Sequence, residues 1–140
     1  MKIAIINGPN LNLVGTREPA IYGTQPLADF LSQLAERYPQ VQFTTFQSNH
    51  EGALIDEVQR AGAEMDAIII NGGAYSHTSL ALADALRAVS VPAIEVHISN
   101  IFAREPIRQH SLLAPACLGI IVGMGLDGYR LAIEALLGHD

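Results

Sequence analysis

The sequence predicts an α/β fold built on a doubly wound, five-stranded parallel sheet, the flavodoxin-like arrangement with strand order 2-1-3-4-5. Three observations lead there. Short apolar runs alternate with amphipathic stretches along the whole chain. Two of those runs, Ile3-Ala4-Ile5-Ile6 and Ala67-Ile68-Ile69-Ile70, are continuously apolar, as strands covered on both faces are. Five strand–helix units fit 140 residues, and a hydrophobic content of 49% is enough for one sizeable core. A single domain over residues 1–140 is expected, because no linker, charge block or repeat interrupts the pattern.

The elements follow in order. Residues 2–6 are the first strand. Thr24 is a candidate N-cap, Pro26 suits a first helical turn, and Leu27, Phe30, Leu31 and Leu34 follow at helical spacing until Tyr38-Pro39. Residues 41–46 mix polar and apolar side chains, as an edge strand does. A second helix covers 51–62, with Leu54, Ile55 and Val58 on one face and Gly62 near its end. Strand three is 67–70, and helix three covers 78–89. Strand four is Ala93-Ile94-Glu95-Val96, followed by a long connection over 97–116 with one short helical turn near Pro106. Strand five covers 118–122 and the last helix 126–137. Strand five would be an apolar edge, and such an edge invites association, so subunit contacts are expected to cover it.

Composition narrows the partners. A net charge of -6 argues against nucleic acid and anionic membranes. No apolar run approaches the ~20 residues of a membrane span, and the N-terminal segment lacks the regions of a signal peptide. A cytoplasmic protein is expected. One cysteine, Cys117, excludes an internal disulfide and reads as a small core residue. Lys2 is the sole lysine, at the wrong end of a parallel sheet for a site, so Schiff-base chemistry is disfavoured.

In such sheets ligands bind beyond the carboxyl ends of the strands. After strand one comes a long polar loop, Asn7 to Gly23, carrying Asn10, Arg17, Glu18 and Tyr22. After strand three come Asn71-Gly72-Gly73-Ala74-Tyr75-Ser76-His77. After strand four come His97-Ile98-Ser99-Asn100, then Arg104 and Arg108. One pole thus gathers amides, imidazoles, guanidiniums and a phenol. The spacing of His77 and His97 fits no metal motif, and no carboxylate or thiol cluster supports them. His50, His110 and His139 read as surface or structural residues. Gly123-Met124-Gly125-Leu126-Asp127-Gly128 matches G-x-G-x-x-G, but the chain ends before the acidic residue that dinucleotide binding wants. The glycines there read as a tight turn and close helix packing. Ser76, Thr78 and Ser79 read as helix caps, since no G-x-S-x-G surrounds them.

These residues resemble a known family. Ile6-Asn7-Gly8-Pro9-Asn10-Leu11-Asn12, Arg17-Glu18-Pro19 and Tyr22-Gly23 resemble the opening of type II 3-dehydroquinate dehydratases. Asn71 to Ser79 and Glu95 to Asn100 resemble its second and third motifs, and Arg104-Glu105 and Arg108 fit the segment after them. The departures are small: Gly72 stands where many members have proline, and Phe102 and Gln109 where polar and basic residues are common. The resemblance implies reversible dehydration of 3-dehydroquinate to 3-dehydroshikimate through an enolate, in aromatic biosynthesis or quinate breakdown. It implies no metal and no cofactor, and a dodecamer built as a tetramer of trimers. Tyr22 would be the base, with Arg17 beside it on a mobile lid, and His97 the general acid, oriented by Glu95. Asn10 would help to stabilise the enolate through a water. Asn71 and the Ile98–Ser99 backbone would hold the substrate carboxylate. His77, Asp84 and Arg108 would bind its hydroxyls, with Asp84 reaching in either from its own chain or from a neighbouring subunit.

The chemistry agrees with these residue types. A proton must leave the carbon beside a ketone, and a hydroxyl must leave the next carbon. A phenol titrates near ~10 and is a poor base at neutral pH unless a cation favours the phenolate. Amide groups suit a developing enolate, and imidazolium can protonate a departing hydroxyl. The alternative from another class is a flavodoxin-like nucleotide or flavin carrier. The absence of tryptophan and of a phosphate loop weighs against it.

Overall fold

The computed structural model describes residues 1–16 and 18–139. Five parallel strands form one sheet in the order β2-β1-β3-β4-β5. They are β1 (Lys2–Asn7), β2 (Gln42–Gln47), β3 (Ala67–Asn71), β4 (Ala93–His97) and β5 (Gly119–Val122). The α-helices are α1 (Pro19–Tyr22), α2 (Leu27–Arg37), α3 (Glu51–Glu64), α4 (Leu80–Ala88) and α5 (Asp127–Leu137). The predicted fold and strand order are the observed ones.

Side-chain alternation sorts the sheet into two cores. Ile3, Ile5, Ala67 and Ile69 face one side with Leu31 and Leu34 of α2 and Tyr129 and Ile133 of α5. Ala4, Ile6, Ile68 and Ile70 face the other side with Leu54 and Val58 of α3 and Leu82 and Leu86 of α4. All four isoleucines from 68 to 70 and at 6 are fully buried, each stabilising by ~1.5–3 kcal/mol. Helices on both faces explain why these strands read as unbroken apolar runs.

The register places the site. Asn7 of β1 pairs with Asn71 of β3, so the two strands end level, one amide beside the other. Between β1 and β3 the chain changes direction across the sheet, the switch point where such folds open a crevice.

Boundaries differ locally from the expected ones. Helix α2 starts at Leu27, and Pro26 is its N-cap with extended backbone. The Pro26 carbonyl accepts from Phe30 N–H at 3.2 Å, so the proline opens the helix from just outside it and Thr24 does not cap it. Helix α3 continues through Gly62 to Glu64. A Cβ on Gly62 would stand 2.4 Å from the Val89 side chain, so this glycine serves close approach of the segment after α4 and does not stop α3. Ser79 does cap α4, accepting from Leu82 N–H at 2.9 Å. The 97–116 connection holds three 3₁₀ turns, Ile101–Ala103, Pro106–Arg108 and Ala114–Ala116, where one was expected. The loop after β1 holds a 3₁₀ turn at Leu11–Leu13 and the single-turn α1. Both are too short to show periodicity in sequence. Leu11 and Val14 anchor this loop by burying their side chains in the core.

Candidate active site

A cleft opens at the carboxyl ends of β1, β3 and β4. Asn10, Tyr22, Asn71, His77, His97, Ile98, Ser99, Arg104 and Arg108 line it. Of the residues singled out in the sequence, Arg17 lies outside the described residues. Asp84 does not line the cleft of its own chain. It sits on the outer face of α4, 76% exposed, 3.5 Å from Arg87 Nη1. Glu95 lies beneath the lining, fully buried.

The loop after β1 holds two of the lining groups. Asn10 adopts a left-handed backbone with φ 68°, and its N–H donates to Asn49 Oδ1 at 3.0 Å. Asparagine tolerates this conformation better than most residues. Tyr22, at the end of α1, packs against the core beneath α2 and α5. Arg104 Nη1 donates to its hydroxyl at 3.0 Å, and the guanidinium carbon lies 5.8 Å from the ring centroid. Arg104 also reaches to 3.5 Å from Ser99 Oγ. Its carbonyl accepts from Gln109 Nε2 at 2.5 Å, which ties down the turn that carries it.

Strand β4 delivers the imidazole. Glu95 and His97 project to the same side, two residues apart, and His97 Nε2 is hydrogen-bonded to Glu95 Oε2. A carboxylate only accepts, so Nε2 carries the proton and Nδ1 is the nitrogen left for the cleft. Ser111 Oγ lies 2.8 and 2.7 Å from the two Glu95 oxygens. The same hydroxyl accepts from the backbone N–H groups of Leu113 and Ala114, at 3.1 Å each. The chain Ser111–Glu95–His97 therefore leaves the buried carboxylate paired on both sides, as burial demands.

The G-x-G segment braces the same strand end. Gly123 N–H donates to the His97 carbonyl at 3.1 Å and Gly125 N–H to the Ile98 carbonyl at 3.0 Å. Gly123 has φ 85°, and a Cβ there would lie 3.1 Å from Asn100 Cβ. The motif holds backbone in place, as a tight turn was expected to.

His77 stacks on His97, with ring centroids 5.8 Å apart. Its Nδ1 donates to the His110 carbonyl at 2.6 Å, and His110 Nε2 returns a bond to the His77 carbonyl at 3.2 Å. Burial lowers the His77 pKa from its ordinary value, against the opposing pull of the His110 carbonyl. A neutral His77 with its proton on Nδ1 offers Nε2 as an acceptor. Arg108 lies with Nε 2.9 Å from Glu105 Oε1. Asn71 donates through Nδ2 to Tyr129 Oη at 3.1 Å and accepts at Oδ1 from Gly73 N–H at 3.1 Å.

The arrangement pairs a phenol held by a guanidinium with an imidazole held by a carboxylate, in one cleft. The chain matches the family Dehydroquinase class II over residues 1–137. It belongs to that family. A 3-dehydroquinate dehydratase of Gemmatimonas aurantiaca is 53% identical over 98% of this chain and 91% of its own length. A protein of Neosartorya fischeri named Catabolic 3-dehydroquinase 1 is 53% identical over 94% of this chain and 89% of its own. The crystal structure of a type II dehydroquinase from Butyrivibrio crossotus superposes with a TM-score of 0.96 at 47% identity, covering 99% of this chain and 98% of that one.

Within this class II dehydroquinase, four groups around the cleft carried no role in the sequence reading. Arg104 stands at the pole the sequence indicates, and its bond to Tyr22 has no sequence signature. His110, which the sequence suggests is surface or structural, is bonded reciprocally to His77. Ser111 and Tyr129 carry no motif that marks them as site residues. One signal pointed toward Ser111: a glutamate inside an apolar strand must find donors, and the polar connection after β4 is where they lie.

Proposed function

We propose that this class II dehydroquinase is a 3-dehydroquinate dehydratase, a hydro-lyase that interconverts 3-dehydroquinate and 3-dehydroshikimate through an enolate. The observation that carries the reading is the Arg104–Tyr22 pair sharing a cleft with the Glu95–His97 pair. The phenolate of Tyr22 takes the proton α to the ketone, and the electron pair moves onto the carbonyl oxygen as an enolate. Collapse of the enolate forms the ring double bond and expels the β-hydroxyl. Protonated at both nitrogens, His97 gives that hydroxyl its proton from Nδ1, so water leaves. Transfer of the proton from Tyr22 back to His97 Nδ1, directly or by exchange of both groups with solvent, restores the site. Arg104, and Arg17 on the resemblance, supply positive charge beside the phenol. Asn10 stabilises the enolate through a water, and Asn71 with the Ile98–Ser99 backbone receives the carboxylate. His77 Nε2 and Arg108 take the ring hydroxyls.

The assembly belongs to the same proposal. Leu118, Ile120 and Met124 are exposed on and next to β5 at 39–55%. Such a patch fits a closed oligomer, and the family resemblance makes it twelve subunits, with Asp84 crossing to a neighbouring cleft. The single cysteine fits an enzyme of a reducing cytoplasm. Relatives with and without "catabolic" in their names match equally well, so both pathway roles fit. The deciding experiment adds 3-dehydroquinate to the purified protein and follows the ultraviolet absorbance of a conjugated enone. Absorbance growth proportional to enzyme is expected; none at high enzyme concentration ends the reading.

A further inference from the structure

Tyr129 is an unusual core residue. It sits on α5, fully buried, with its ring in the apolar layer beneath β1 and β3. Its hydroxyl nevertheless meets two amides. It donates to Asn7 Oδ1 at 2.5 Å and accepts from Asn71 Nδ2 at 3.1 Å. Those asparagines are register partners on adjacent strands, both nearly inaccessible to solvent.

The directions of these bonds are fixed by chemistry. A hydroxyl has one hydrogen to give. Spent on Asn7, it leaves Tyr129 Oη as an acceptor, which only the NH₂ side of Asn71 can satisfy. Gly73 N–H, which can only donate, meets the opposite side of the same amide at 3.1 Å. Burial raises the Tyr129 pKa far above the phenol range, so the hydrogen is retained at any working pH. Asn71 is therefore held with its oxygen toward Gly73 and its nitrogen toward Tyr129. One amide hydrogen remains for the cleft that Asn71 lines.

We propose that Tyr129 is a positioning residue for substrate recognition: its hydroxyl locks the Asn71 amide with an N–H donor presented to the substrate carboxylate. This rests on the reading above that Asn71 meets that carboxylate. An amide free to turn over would present its carbonyl oxygen to the same anion, and repulsion would replace attraction. Without the hydroxyl, Asn71 Nδ2 loses its acceptor and the amide is held from one side only, by Gly73 N–H.

The test compares Tyr129→Phe, Asn71→Ala and the double variant. Tyr129→Phe keeps the ring and its packing. Its KM for 3-dehydroquinate should rise about tenfold with kcat within a few-fold, since a charge-assisted hydrogen bond to the carboxylate is weakened and not abolished. The double variant should be no worse than Asn71→Ala, because both changes remove one contact. A binding readout separates positioning from general loosening. Quinate, which has the carboxylate but no ketone to enolise, should bind Tyr129→Phe more weakly, while its uncharged carboxamide should bind both proteins alike. If Tyr129→Phe does not fold, Asn7→Ala takes its place: it frees the hydroxyl hydrogen to compete for Asn71, and KM should rise in the same direction. A raised KM in Asn71→Ala with an unchanged KM in Tyr129→Phe, or in Asn7→Ala where that stands in, overturns the positioning role and leaves the carboxylate reading standing. An unchanged KM in Asn71→Ala removes both.

Discussion

Arg104 and Tyr22 are 82 positions apart in the chain, yet the guanidinium donates to the phenol at 3.0 Å. The contact joins the first loop to the connection after β4. It places a permanent positive charge beside the phenol that the proposed mechanism uses as its base.

The two groups should act as one unit. Tyr22→Phe removes the base and keeps the ring, so kcat should fall by ~10²–10⁴ while quinate still binds. Arg104→Ala should lower kcat by an order of magnitude or more. The double variant should be scarcely worse than Tyr22→Phe, the non-additivity of coupled catalytic groups. Arg104→Lys should rescue in part, because an ammonium lacks the planar fork. Steady-state kinetics on the four proteins decide it, and fully additive losses would separate Arg104 from the base.

The Ser111–Glu95–His97 chain makes a graded prediction. His97→Ala should cut kcat by ~10²–10⁴, while exchange of the substrate's α-proton with solvent, followed by NMR, persists. Ser111→Ala should leave the imidazole in place but strip one donor from a buried carboxylate, costing about 1–3 kcal/mol of stability with a smaller loss of kcat. Denaturant unfolding reads the first effect and turnover the second. A Ser111→Ala protein as stable as the parent would show that Glu95 finds another donor.

The sheet was legible because its signal is periodic. Buried strands such as Ile68-Ile69-Ile70 advertise themselves, and the strand order sets β1 beside β3, while the register that pairs Asn7 with Asn71 is seen only in the structure. Asn10, Asn71, His77 and His97 sit where strand ends put them, so topology alone gathers them. Arg104 and Tyr22 meet through two irregular loops, whose path no periodicity encodes. Tyr129 lies at the right spacing for an inward-facing helix residue, and nothing in the sequence shows that its hydroxyl finds two amides. Gly62 misled because a glycine that stops a helix and one that admits Val89 look alike until the packing partner is known.

His77 links stability to pH. Burial, with the nearby charges of His97 and Arg108, holds its pKa below the ordinary 6.5. The unfolded chain therefore binds this proton more readily than the folded one. The stabilisation is complete above pH 6.5 and is lost as pH falls from there through the folded value. Urea unfolding of the parent should show stability dropping from neutral pH into that range. His77→Gln should flatten this part of the curve. An identical slope in the variant would assign the pH dependence to other groups.

The last prediction concerns Asp84. On α4 it lies one turn beyond Leu80, which is 66% exposed, so an apolar and an acidic side chain share an unpartnered face. A surface of that kind is suited to meeting another subunit, and a carboxylate there could enter a cleft that its own chain does not line with it. Sedimentation should show a closed assembly, and Ile120→Lys should break it, since the charge would land on the exposed apolar strand β5. Subunit mixing then tests the crossing directly. Asp84→Ala and Tyr22→Phe assemblies should each be poorly active. Dissociated together and reassembled, they form some sites that combine the Tyr22 of one subunit with the Asp84 of its neighbour, and activity should exceed the sum of the parents. If mass measurement shows mixed assemblies and activity stays at the parental sum, Asp84 acts within its own subunit or not at all. A monomer with full turnover would remove the crossing and the assembly together.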